Sequence, residues 1–342
     1  MNRRSFLGLV AAGLGGLAAP WPHPAGRVLG GGERLVERWS WAMGQPVHLL
    51  LFAATEDAGL EAAALALAEL RRVEAALSLF DPASDLVALN ERAGRGPVRI
   101  GPDLLAVLKR AEQLRVLTRG AFNPAVEPLM RAWGFHAPRT SAPMAAELEA
   151  ARRAVSEARL ELGEGTASLG TNEARLDLGG IGVGYGLDRA ADVLREVGIS
   201  RALLDVSGDL IALGAPPGRS GWKVDIASVP GGRPCRTVTL RDAAVATSSN
   251  TASVVRYGGI IAGHVMDPSR GTPAHTLTQV SVVGGTATEA DALSTAFYVL
   301  GWEGAAAYCQ QHPDISALLV TQKGAGVDLH PVNLPDEKWR AI

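Results

Sequence analysis

The stretch Arg175–Asp209, RLDLGGIGVGYGLDRAADVLREVGISRALLDVSGD, organises the reading of the whole chain. Leu176 and Leu178 alternate with Arg175 and Asp177 as in a short half-buried strand, and Gly179, Gly180, Gly182, Gly184 and Gly186 follow at once. Leu187, Ala190, Ala191 and Leu194 then recur at helical spacing up to a stop at Gly198, and Ala202–Val206 reads as a second strand. Glycines between a strand end and a helix start let a phosphate approach main-chain N–H groups where the helix dipole favours negative charge. That points to an anionic, nucleotide-like ligand. The competing reading is a tight turn whose glycines only let helix and sheet pack closely, and this stretch alone leaves both open. The spacing does not fit G-x-G-x-x-G and no G-K-[ST] follows, so the two commonest nucleotide loops lose support.

The chain around it has 342 residues, 47% of them hydrophobic, enough for one large domain or two intimately joined ones. A formal charge of −2 gives no nucleic-acid footprint and no anionic-membrane surface. Cys235 and Cys309 lie far apart in no metal-ligand spacing, leaving a single disulfide as an open option. At the N-terminus, Arg3 and Arg4 precede Phe6, Leu7 and an apolar run to Ala19, which resembles a twin-arginine export signal. Residues 1–26 are therefore read as a signal peptide, and the mature chain is expected outside the cytoplasm, in the periplasm. The alternative is an uncleaved N-terminus that holds the protein at the inner membrane.

Along the mature chain, Gly26–Glu37 reads as an unstructured lead-in, with structure expected from about Trp39. Val47–Phe52 is strand-like, Leu60 to Leu77 stripe a long helix, and Leu104 to Leu114 stripe another, closed by Gly120. Phe122, Trp133 and Phe135 flank a proline-rich loop that packs on the core or on a flat aromatic ligand. Residues 222–226, 236–240 and 243–247 alternate as strands of one antiparallel sheet, which Gly258–Met266 is expected to continue. Thr278–Val283 is a strand, Thr288–Leu300 a helix and Ser316–Thr321 the final strand. Without strict βαβ alternation, the pattern predicts an α+β fold with largely antiparallel or mixed sheets flanked by helices. One domain is expected over 39–321, with 322–342 as a C-terminal tail.

Two clusters could carry chemistry. Asp291 and Thr295 are four apart on a helix, so their oxygens stand on one face and suit a hard cation such as Mg²⁺. Asp291 also stands three residues after Thr288, as in a capping box, which would explain it structurally. His264 and Asp267 sit at a strand end and turn that points them outward, as a general base and its partner or as a satisfied histidine and an Asp-Pro turn. Asp209, after Ser207 and Gly208, is either a turn residue or an acid at the strand tip facing the glycine loop. No G-x-S-x-G, H-E-x-x-H or C-x-x-C occurs, so serine hydrolases, zincins and thiol oxidoreductases lack support.

In order, these pieces resemble the FAD:protein FMN transferase (ApbE) family. The series runs through Met43-Gly44, Asp81 to Ser84, Leu89-Asn90, Gly120 to Pro124 and Trp133 to Phe135. It continues through Asp177 to Tyr185 with Asp188, Ser207 to Asp209, His264 to Pro268 with Gly271, and Asp291 to Thr295. The resemblance implies an ApbE-like, T-fold-related architecture. It implies a Mg²⁺-dependent enzyme that moves the FMN half of FAD onto a Ser or Thr hydroxyl of an acceptor protein, such as a membrane redox subunit, and releases AMP. By the same similarity the metal falls to Asp291, Thr295 and the Gly182 carbonyl. FAD falls to Met43, Phe80, Ala121, Phe122, Asn123, Gly179, Tyr185 and Val265, and the base to His264 with Asp267 fixing its turn. The chain departs from the family pattern at Val183, where a basic residue is common, at Ser207 for glycine, at Asn123 for aspartate and at Phe80 for tyrosine. An FAD hydrolase giving FMN and AMP and a non-catalytic FAD-binding envelope protein are the alternatives.

Overall fold

The computed structural model describes residues 32–227, 234–250, 253–275, 277–324, 326–334 and 339–341. The expected signal peptide or anchor lies outside the described residues, and among those described no helix is long and apolar enough to cross a membrane.

The first strand described, β1 (Arg34–Ala42), starts within the segment expected to be an unstructured lead-in. Val36 and Ala42 are buried there, which gives the strand an inward face. Its hairpin partner β2 (Gln45–Ala53) is buried almost throughout. Helix α1 (Glu56–Leu77) follows, its first turn closed by the Thr55 hydroxyl accepting from the Ala58 amide at 3.2 Å. Helix α2 (Asp85–Glu91), β3 (Val98–Arg99) and helix α3 (Pro102–Leu117) come next, then helix α4 (Glu127–Ala132) and helix α5 (Ala145–Ser156). Strands β4 (Leu160–Leu162) and β5 (Thr166–Leu169) join β3 in a small sheet. Helix α6 (Gly182–Glu196) leads to β6 (Ala202–Val206), β7 (Asp209–Leu213), β8 (Trp222–Ala227), β9 (Pro234–Leu240) and β10 (Ala243–Ser249). The hairpin β11 (Val254–Tyr257) and β12 (Ile260–Gly263) precedes the short pair β13 (Met266–Asp267) and β14 (Thr272–Pro273). Strand β15 (Gln279–Gly284), helix α7 (Ala287–Gln311), β16 (Ser316–Lys323), β17 (Gly326–Val332) and β18 (Trp339–Ala341) complete the chain.

The frame is an eight-stranded sheet in the order β1-β2-β6-β7-β10-β15-β16-β17 with every pairing antiparallel. The α+β expectation holds. Leucines and alanines of α1 and α6 pack on β2, β6 and β7 in one apolar cluster, while α2, α3 and α7 share a second with Phe122, Leu176 and Leu178. On the opposite sheet face, Leu50, Leu203, Leu210 and Leu318 meet Trp222, Val224, Val238 and Trp339.

Several sequence expectations give way to packing. Strands β8 and β9 pair with β18 in a separate three-stranded sheet, because Trp222, Val224 and Val238 have the main sheet's apolar face to cover. Among the described residues, strand β12 pairs with β11 and does not continue the main sheet. Residues 322–342 are no tail: β16 turns at Lys323 and Gly326 into β17, whose register runs to Ala317↔Val332, and β18 pairs with β9. Arg175–Leu178 forms no strand. The buried Asn90 side chain takes the place of a ladder partner, accepting from the Leu176 amide at 2.8 Å and donating to its carbonyl at 2.9 Å. Cys235 and Cys309 are both free thiols.

Candidate active site

Helices α6 and α7 meet at Gly184, within the glycine run. A Cβ on Gly184 would lie 2.2 Å from the Ala287 carbonyl oxygen, so only glycine lets the two helix starts touch. They also exchange polar groups. The Gly184 amide donates to Asp291 Oδ2 at 3.0 Å, and Asp188 accepts from the Ala287 and Thr288 amides at 2.8 and 2.9 Å and from the Thr288 hydroxyl. The N-cap of α7 is Thr286, accepting from Glu289. The capping-box explanation of Asp291 therefore falls away, because that carboxylate reaches across to α6. The two readings of the glycine run divide by residue: Gly184 serves close packing, whereas Gly179 and Gly180 line a cavity.

That cavity has a volume of about 440 Å³ and lies between the α6 start, the β6–β7 turn, the end of β10 and the His264–Pro268 segment. At one end Asp209, Asp291, Thr295 and Ser248 gather oxygens. Asp209 Oδ1 accepts from the Thr247 amide at 3.0 Å, and Ser248 Oγ lies 2.7 Å from Ser294 Oγ and 3.3 Å from Thr295 Oγ1. A Cβ on Gly180 would meet Thr295 Oγ1 at 3.0 Å, so the glycine loop lies directly against that hydroxyl. Burial first, and the charge of Asp291 next, drive the Asp209 carboxyl well above the ordinary carboxylate range. Burial also pushes Asp291 up to about 7, against the Gly184 amide. Two such acids cannot both stay ionised without a cation between or beside them.

Among the described residues no cluster of three or more His, Cys, Asp or Glu side chains forms a ready-made metal cage. Two carboxylates with neighbouring hydroxyls nevertheless fit a hard divalent ion that keeps water and substrate oxygens in its remaining positions. The uncompensated acids are the feature that such an ion would relieve.

At the other end are Phe80, Ala121, Phe122, Asn123, His136, Asp177, His264 and Val265. Phe80 is 77% exposed and meets the His136 ring edge-on, at 5.8 Å between centroids, so it belongs to the cavity mouth and not to the core. Phe122 is buried in the core and also lines the cavity, whereas Trp133 and Phe135 pack with Leu129, Ala151 and Met266. The Asn123 side chain caps the following 3₁₀ turn, accepting from Ala125 at 2.9 Å. Val183 lines the cavity while packing in the α1–α6 cluster.

His264 does not point outward as expected. It lines the cavity, and its Nδ1 is sealed from solvent without a hydrogen-bond partner among the described residues. Burial lowers its proton affinity below the ordinary histidine value. Asp267 is not its partner. It accepts from the Ser269 amide and hydroxyl at 2.9 and 2.6 Å and from the Arg270 amide at 3.1 Å, an Asx turn that shapes the loop, and it lines a second cavity. Asn250 orients the His264 segment instead: its Oδ1 accepts from the Val265 amide at 2.6 Å and its Nδ2 donates to the Ala274 carbonyl.

Three further residues expected at the site lie outside the cavity walls. Met43 (φ 56°) forms the β1–β2 turn with Gly44, both amides held by Glu74 at 2.8 and 2.9 Å, and its side chain packs on Gly186. The Tyr185 hydroxyl donates to Asp103 at 3.0 Å, within a network that includes Arg72. Gly182 sits inside the first turn of α6. Sequence reasoning missed His136, Asp177 as its partner, Asn250 and Ser248.

A family model described as the ApbE family matches residues 43–319. The chain belongs to the ApbE family. It is 32% identical to the FAD:protein FMN transferase of Treponema pallidum over 73% of this chain and 74% of that protein. It is 28% identical to one from Klebsiella pneumoniae over 82% and 87%. The ApbE protein of Thermotoga maritima superposes with a TM-score of 0.78 at 25% identity, covering 86% of this chain and 96% of that one. The flavin transferase ApbE of Vibrio cholerae gives 0.75 at 26% identity, covering 88% and 97%. The long antiparallel sheet and its helical cover are thus the ApbE fold.

Proposed function

We infer that this chain is an FAD:protein FMN transferase. Carrying this reading is the single cavity that joins an oxygen-rich end at Asp209, Asp291 and Thr295 to an aromatic end at Phe80 and Phe122, the layout a dinucleotide with a diphosphate centre and flat rings requires. Asp291 and Thr295, with Asp209 beside them, would hold Mg²⁺; when bound, that ion supplies charge to neutralise the diphosphate.

The acceptor is a Ser or Thr hydroxyl of another protein, for example a membrane redox subunit. Its oxygen attacks the FMN-side phosphorus, the bond from that phosphorus to the bridging oxygen breaks, and AMP leaves with that oxygen. His264, neutral in its buried setting, takes the hydroxyl proton. Gly179 and Gly180 bring backbone against the substrate, and Asn250 holds the histidine segment in place. Little covalent chemistry is asked of the protein, because position and electrostatics do most of the work in phosphoryl-type transfer. The twin-arginine-like residues 2–19 support export to the periplasm, with an uncleaved N-terminus as a route to inner-membrane association.

The deciding experiment incubates the mature protein with FAD, Mg²⁺ and a domain bearing an acceptor threonine, following acceptor mass and AMP. Acceptor carrying one FMN together with equimolar AMP is the expected result. AMP with free FMN alone would mark a hydrolase, and bound FAD without AMP a binding protein.

A further inference from the structure

Asp177 pairs with one histidine of the cavity lining, His136, which has no role in the transferase scheme, and acts electrostatically on the other, His264. His136 Nε2 lies 3.2 Å from Asp177 Oδ2, and its Nδ1 lies 3.7 Å from Glu127 Oε1. The latter is beyond a hydrogen bond, so Glu127 acts on the ring as a charge. All three side chains are largely sealed, with 10% of His136, 13% of Asp177 and 2% of Glu127 exposed. The other Asp177 oxygen accepts from the Gly179 amide at 2.7 Å, which fixes the carboxylate to the start of the glycine loop. Asp177 also acts electrostatically on His264, in the same cavity wall.

We propose that His136 is a positioning residue: as an imidazolium it occupies the Asp177 carboxylate, and so leaves His264 an unprotonated imidazole able to accept a proton. This rests on the reading of His264 as the base. The groups around His264 support it. Asp177 reaches it from the segment before α6 and the Ser253 carbonyl from the start of the β11 hairpin, both favouring the protonated form, while burial opposes them and wins. Asn250, at the end of β10, is neutral. On the histidine's own loop, Asp267 and Arg270 face each other at 3.5 Å. Across the cavity, Asp209 and Asp291 belong to the cation end. Asp177 is therefore the anion that would protonate His264 were it left without a counter-charge, and His136 is the counter-charge. Burial works against a charged His136, yet Asp177 and Glu127 together push its pKa up to about 9, so the pairing persists at neutral pH.

Ring ¹⁵N-detected NMR titration of His264 in the full mature protein, alongside the pH profile of kcat/KM, tests this. In His136→Gln, the His264 midpoint should rise by about one pH unit, as expected for a newly uncompensated nearby carboxylate. The acid limb of kcat/KM should rise with it. Asp177→Asn should lower the midpoint, and the double variant should return it close to that of Asp177→Asn alone. An unmoved His264 midpoint in a folded His136→Gln protein overturns the proposal, as does an unmoved midpoint in Asp177→Asn should the first variant not fold. A midpoint that moves while the acid limb stays put supports the coupling and removes His264 from the role of base, so the two readings fail separately.

Discussion

Two pairs of buried acids stand at one cavity, Glu127 behind its wall and the other three in it, and their neighbours send them in opposite directions. At the His136 end, Glu127 and Asp177 hold an imidazolium between them, and both carboxyls sit below their ordinary range despite burial. At the other end Asp209 and Asp291 have the Thr247 and Gly184 amides as partners, and both are driven upward. Removing acids from water without a counter-ion costs several kcal/mol. A cavity with a built-in cation at one end and uncompensated acids at the other fits the proposed binding of Mg²⁺ from solution at the second. The contrast separates a permanent electrostatic scaffold from an exchangeable one.

The largest expected effect breaks the exchangeable end. Asp291→Asn keeps the shape and the acceptor for the Gly184 amide but removes the charge. Turnover of FAD should fall by about 10³-fold or more, some 4 kcal/mol of transition-state stabilisation. The same variant should be more stable than the parent in chelator at neutral pH, because one of two repelling buried acids is gone. Steady-state AMP release and thermal melts in EDTA measure the two halves. Lower activity with lower apo stability would instead mean that the carboxylate is structural.

The pH dependence of stability sharpens the comparison, since each end has its own window. Asp209 and Asp291 have folded-state affinities above the ordinary 3.8. Their stabilising contribution is therefore complete below that pH and is lost as pH rises, through about 7 for Asp291. Asp205, pushed up to about 7 by burial, adds to the same window, so the informative quantity is the difference between parent and Asp291→Asn. Saturating Mg²⁺ should abolish that difference by stabilising the parent at neutral pH. Denaturant melts from pH 4 to 7, with and without the ion, would show it, and identical curves would break the assignment of this end to a cation.

At the scaffold end the folded value of His136 is raised from 6.5 to about 9. Its stabilisation is complete below pH 6.5 and fades as pH rises through about 9, a loss on the order of 3 kcal/mol at most. His136→Gln should flatten the stability curve between those limits, and added Mg²⁺ should not restore the slope. A parent curve already flat over that range would mean the imidazolium is not held.

How far these ends were legible in the sequence follows from what each depends on. Asp291 and Thr295 share a helix face, so their spacing alone put two oxygens together. The apolar stripes of α3 and α6, and that of α1 from Leu67 onward, likewise appear in the expected phase, because local periodicity and burial agree there. His136 carries no such signal. It follows Phe135 in an irregular stretch, and its partners lie on α4 and before α6, a meeting only the tertiary fold arranges. Leu176 and Leu178 alternate as a strand would, yet the Asn90 side chain satisfies the backbone that a neighbouring strand would otherwise have paired. Met43 and Tyr185 stand beside the glycine run and are nonetheless turned to Glu74 and Asp103, since charged partners on α1 and α3 claim their polar groups.

The smallest expected effect lies in the turn that delivers Asp209. Val206 pairs with Asp209 across a two-residue connection, and both central residues have positive φ, 54° at Ser207 and 102° at Gly208. Such a turn favours glycine or asparagine at its first position, and an L-residue with a Cβ is strained there by about 1 kcal/mol. Ser207→Gly relieves that strain but frees the unfolded chain, so the net gain should be only about 0.5 kcal/mol. The Gly208 amide, donating to Asp205 at 2.8 Å, would keep its partner, and the His136 window above pH 6.5 should be untouched. A loss of stability in this variant would mean that the serine, which lines the cavity, holds the carboxylate end together through its hydroxyl and not merely through the bend of the chain.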